Sequence, residues 1–75
     1  MRRQWLNMVY NREDDRWEVR RPSGVYALHC GDRLEMDLGE GLSRVGRLEM
    51  DRAWYVTFGS ISFHLREKQT YRIDI

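Results

Sequence analysis

The chain has 75 residues, and its 13 basic and 12 acidic side chains leave a net charge of +1. That length allows one domain with one small core, and the charge balance excludes a cationic nucleic-acid coat, a polyacidic tail or a basic membrane anchor as a description of the whole. With 41% apolar residues, three Trp, four Tyr and two Phe, the chain does not read as disordered, and no apolar run approaches the ~20 residues of a membrane helix.

The N-terminus opens with Arg2 and Arg3 but has no apolar stretch or small-residue cleavage site, so it does not read as a signal peptide. The single cysteine, Cys30, cannot form an internal disulfide, which suits a reducing cytoplasm. From there the chain alternates with period two almost throughout, the spacing of strands that bury one face and wet the other. A strand is expected over residues 5–10, a polar turn over 11–15, and a strand over 16–20. A second turn follows over 21–24, where Pro22 cannot donate to a central ladder. A further short strand is expected over 26–28.

Residues 33–58 read as a three-stranded antiparallel meander. The pentapeptide Arg-Leu-Glu-Met-Asp occurs at 33–37 and again at 47–51, as two similar strands. With 39–43 as the loop, Leu34 faces Leu48 and Met36 faces Gly46 on the inner side, while Arg33 meets Glu49 and Glu35 meets Arg47 outside. A tight turn at 51–53 then sets Met50 by Trp54, Leu48 by Val56 and Gly46 by Phe58, an aromatic covering a strand glycine. Residues 61–65 form a fourth element or a short helical turn, and residues 71–75 a last strand that closes the sheet beside the earlier ones. The expected fold is therefore all-β: a small SH3-like barrel of five to seven short, mainly antiparallel strands, with at most one short helical turn, in a single domain over residues 1–75.

Ala-Leu-His-Cys-Gly-Asp at 27–32, Gly-Arg-Leu-Glu-Met-Asp at 46–51 and Trp-Tyr at 54–55, with Arg16–Trp17 near the start, resemble a small bacterial family of domains of unknown function, the one numbered 5348. The resemblance covers residues 10–75 and departs from the family pattern over 59–70. It implies the domain limits and a bacterial origin. It brings no catalytic residues.

Chemistry is sparse. His29, Cys30 and His64 are too few for a structural zinc site, and adjacent residues of an extended segment point apart. Cys30 lacks a base within evident reach, so no nucleophile–base pair is formed. Glu35, Asp37, Glu49 and Asp51 form an outward carboxylate set that the arginines of the same face would pair. No catalytic residue, cofactor or metal site is expected, and no small-molecule substrate.

Binding is the expected activity. Of the 13 cations 12 are Arg, and Arg2, Arg3, Arg12, Arg16, Arg20 and Arg21 crowd the first 21 residues. Arginine forks beside Trp5, Tyr10 or Tyr26 would suit RNA or single-stranded DNA. Against them stand Glu13, Asp14, Asp15 and Glu18, so that segment is only +2. A protein partner, or self-association through residues 71–75 or another edge, is favoured. The expected partner-binding residues are Tyr55, Tyr26, Arg47, Arg20 and Arg21, because a few exposed aromatics and arginines usually dominate an interface. Trp17 and Trp54 are expected to pack the core.

Overall fold

A computed structural model describes residues 4–75; Arg2 and Arg3 of the N-terminal arginine cluster lie outside the described residues. The fold is all-β. Its strands are β1 (Leu6–Asn11), β2 (Arg16–Arg21), β3 (Gly24–Ala27), β4 (Arg33–Gly39), β5 (Leu42–Asp51), β6 (Ala53–Phe58), β7 (Ile61–His64) and β8 (Tyr71–Asp74). They form one sheet in the order β3-β2-β1-β8-β4-β5-β6-β7, with every neighbour antiparallel. Two meanders, β1–β3 and β4–β7, are thus joined by the last strand.

This corrects two expectations. Among the described residues there are eight strands rather than five to seven, and the sheet they form is not closed: β3 and β7 are its two edges. Nor do residues 71–75 offer an edge for self-association. β8 is paired on both sides, with Leu6 opposite Ile73 in β1 and Met36 opposite Ile73 in β4. It lies between two strands of the sheet and is therefore not an edge strand. Among the described residues the segment after β7 forms a turn, in which the Gln69 N–H donates to the Arg66 carbonyl at 3.0 Å, and no helix.

The concave face carries the core. Met8, Trp17, Val19, Leu28, Leu34, Met36, Leu48, Val56 and Ile73 are fully or almost fully buried, and the half-buried Leu6, Tyr10, Trp54, Phe58, Leu65 and Tyr71 pack against them. Most of these residues follow the period-two alternation of their strands, as the pleat requires. Trp17 is the largest, held between the rings of Tyr10 at 5.4 Å and Tyr71 at 5.6 Å. Trp54 is not a full core residue. It lies at the rim, half-buried, and its indole N–H donates to the Asp15 carboxylate at 3.1 Å.

The meander register is partly as expected. β5 and β6 pair Met50 with Trp54 and Leu48 with Val56. A methyl group on Gly46 would lie 2.7 Å from the Phe58 ring and 2.6 Å from the Thr57 carbonyl oxygen, so Phe58 does cover a position where no side chain fits. β4 and β5 are shifted by two residues from expectation. Leu34 faces Gly46, Arg33 faces Arg47, and Glu35 faces Val45. The cause is the turn. Instead of a five-residue loop, Gly39 pairs directly with Leu42, and Gly39, Glu40 and Gly41 all have positive φ (88°, 54° and 77°). Positive φ at both central residues is the two-residue hairpin geometry that matches strand twist, and the register irregularity between Asp37 and Gly39 absorbs the difference. An even shift keeps every side chain on its face, so the core is unchanged.

Candidate partner-binding surface

The β2–β3 hairpin turns at Pro22–Ser23 and sets Arg21 opposite Gly24 and Val19 opposite Tyr26. Paired residues share a face, so Tyr26 and Arg21 both lie on the concave side, beyond the end of the core. The Arg21 guanidinium carbon stands 5.5 Å from the centroid of the Tyr26 ring, a cation–π contact. Below them is a groove of about 310 Å³ lined by Arg21, Tyr26, Leu28, Asp32, Arg33 and Ile75. Tyr26 is 44% exposed and Ile75 41% exposed, while Leu28 in the same groove is buried.

Of the five residues named from sequence, Tyr26 and Arg21 come together here. Arg20 sits on the opposite, convex face of β2, between Val25 and Asn7 in the ladder. Tyr55 and Arg47 lie on β6 and β5, in the other meander. Tyr55 is half-buried, faces Glu49 in the ladder and leans on the His64 ring at 5.7 Å. Arg47 is exposed, and its Nε is 3.1 Å from Glu49. The structure therefore divides the set between two meanders. Leu28, Asp32, Arg33 and Ile75 were not named from sequence. Ile75 joins Arg33 and Tyr26 because β8 pairs with β4 and delivers Ile75 beside its start, a placement that no local pattern signals.

The turn between β3 and β4 is built on Asp32. Its carboxylate accepts the His29 backbone N–H at 2.8 Å, and Gly31 has a φ of 92°. The Gly31 N–H donates to the Leu48 carbonyl at 2.7 Å, anchoring the turn to β5. His29 and Cys30 are exposed on it. Among the described residues no group of three or more His, Cys, Asp and Glu could hold a metal ion.

Three of the four outward carboxylates are engaged. Glu35 accepts the Ser43 hydroxyl, Glu49 holds Arg47, and Asp37 lies 3.9 Å from Arg72. A second polar centre, not foreseen from sequence, is Asp15 at the end of the β1–β2 turn. It has a positive φ of 48° and accepts both the Tyr10 hydroxyl and the Trp54 indole N–H. Those two donors hold its carboxyl below the ordinary carboxylate range. The same hydrogen bond, with desolvation and the Asp15 charge added, pushes the Tyr10 phenol up to about 12. Glu18 is lowered by hydrogen bonds from Asn11 and then Arg16. For Asp15 and Glu18 the hydrogen bonds favour the charged carboxylate, whereas for Tyr10 the bond favours the neutral, protonated phenol.

The family described as a domain of unknown function (DUF5348) matches residues 6–75, from the first residue of β1 to the residue after β8. Among curated proteins and solved structures, none matches the chain.

Proposed function

The chain belongs to the DUF5348 family, and from that premise we propose that it is a non-catalytic protein-interaction module of the bacterial cytoplasm. Its groove beside β3 holds an extended segment of a partner that carries acidic and apolar side chains. The observation that supports this reading is Tyr26, nearly half exposed under the Arg21 guanidinium and open to the groove. Tyrosine and arginine are the residue types that most often dominate interface energy. Arg21 and Arg33 both line the groove, whereas its one acid, Asp32, already accepts the His29 N–H. An acidic side chain is therefore the complementary one. A non-catalytic role agrees with the engagement of Glu35, Glu49 and Asp37 in ion pairs and hydrogen bonds.

The test is affinity capture from bacterial lysate with the full chain, with and without nuclease and at two salt concentrations. A protein retained after nuclease, lost with Tyr26→Ala and kept with Tyr55→Ala, supports the reading. Capture that vanishes with nuclease and with salt would replace it by nucleic-acid binding, in which Arg20 and Arg21 serve phosphates.

A further inference from the structure

We infer that the open edge at β7 is a self-association surface, on which a second copy of this chain adds its own β7 antiparallel to the first. Residues 53–65, the whole β6–β7 hairpin and the residue after it, contain no Asp, Glu, Lys or Arg, in a chain that is 33% charged. An edge strand is ordinarily protected by a charge, a proline or a bulge, or by being short, as the four-residue β7 is. β7 has no charge, proline or bulge in its sequence or pairing, and it presents Ile61 at 62% and Phe63 at 38% exposure. The other edge differs. β3 is entered through Pro22, and the strand beside it carries Arg20 and Arg21 opposite Val25 and Gly24.

Backbone geometry selects the register. The Leu65 N–H donates to the Trp54 carbonyl at 3.0 Å. Hydrogen-bonding direction alternates along a strand, so the peptide groups of Ile61 and Phe63 also face β6. Those of Ser62 and His64 face the open edge. A two-fold axis through Ser62 then places Ser62 opposite Ser62 of the second copy as a hydrogen-bonded pair. In the same register Ile61 faces Phe63 of the second copy, twice, as the closer non-hydrogen-bonded pairs. All four apolar side chains fall on the concave face, where Phe63 already meets Tyr71 at 6.0 Å and Phe58 at 6.5 Å. The surface is self-complementary, as a two-fold interface must be. Neither hairpin carries a charge that would repel its copy.

The site shares no residue with the Tyr26 groove, so it stands or falls separately from the proposed function. Sedimentation of the full chain over a concentration range reads it directly. The wild type is expected to form a dimer whose dissociation constant is insensitive to salt, because no ion pair is involved. Ser62→Lys puts like charges opposite each other at the two-fold axis, on the convex face, and is expected to weaken the dimer by at least about tenfold. Ser62→Glu should do the same, and an equimolar mixture of the two variants should restore the dimer. Melting curves matching the wild-type monomer would show that both variants fold. A wild type that stays monomeric at every concentration, or a Ser62→Lys variant that dimerises as before, would overturn the inference.

Discussion

The two meanders are built from the same kind of strand but hold the core differently. β1–β3 contributes Met8, Val19 and above all Trp17, clamped between Tyr10 and Tyr71. In β4–β6 the burden is spread over the smaller Leu34, Met36, Leu48 and Val56, with Gly46 letting β5 and β6 come close. Edges differ as well, with arginines beside β3 and no charge in or beside β7. A meander that depends on one large aromatic is vulnerable at one point. One that depends on several aliphatics is vulnerable to anything that alters their spacing.

The strongest way to break this comparison is Trp17→Ala, expected to cost about 3–5 kcal/mol as the deletion of a buried aromatic. Trp54→Ala should cost less, about 1–3 kcal/mol, since the ring is half-buried and its loss frees only one acceptor. Denaturant melts that rank Trp54 above Trp17 would place the weight in the wrong meander. Next comes Gly46→Ala. Its new methyl meets backbone as well as the Phe58 and Val56 side chains, so overpacking of about 1–3 kcal/mol is expected. A variant as stable as wild type would show that β5 and β6 can spread apart.

The link between the meanders is tested by pH. Asp15 on the first holds Trp54 on the second, and its carboxyl is lowered in the folded state. Its contribution is therefore complete above pH 3.8, the ordinary carboxylate value, and is lost as pH falls through the lowered value. Tyr10 behaves in the opposite sense. Its phenol is raised from 10.0 to about 12, so its contribution is complete below pH 10 and disappears towards pH 12. Melting temperatures of wild type and Tyr10→Phe should converge over that alkaline window; a constant gap would separate Tyr10 from the effect. The smallest expected effect is that of Tyr26→Ala, within about 0.5 kcal/mol of wild type, because the ring lies outside the core. A larger loss would make Tyr26 a structural residue.

Much of this was legible in the sequence, for a local reason. Alternation fixes which face each strand residue takes, so Leu34, Met36, Leu48 and Val56 could be placed inside without knowing the topology. The β5–β6 register was legible too, since the turn between Asp51 and Ala53 leaves little freedom. The β4–β5 register was not. Pairing Arg33 with Glu49 and Glu35 with Arg47 satisfied both charge and face, yet exposed ion pairs of this kind are worth only about 0–1 kcal/mol. Backbone geometry at Gly39–Glu40–Gly41 outweighed them and set Arg33 opposite Arg47. The candidate site was half legible. Tyr26 and Arg21 are close in sequence, but Ile75 and Arg33 reach them through a pairing between distant segments.

That pairing has a consequence in time. β8 lies between β1 and β4, so the seam of the sheet joins Leu6 to Ile73 across nearly the whole length of the chain. The two meanders can form as soon as each is synthesised, because their contacts are between neighbours. They cannot become one sheet until residues 71–74 have been made, and until then β1 and β4 each expose a row of unpaired backbone groups. Loop closure over that distance is entropically slow, and folding rates fall as the contacts become less local. The interval in which this small domain is most open to mispairing is therefore the one just before its last strand arrives.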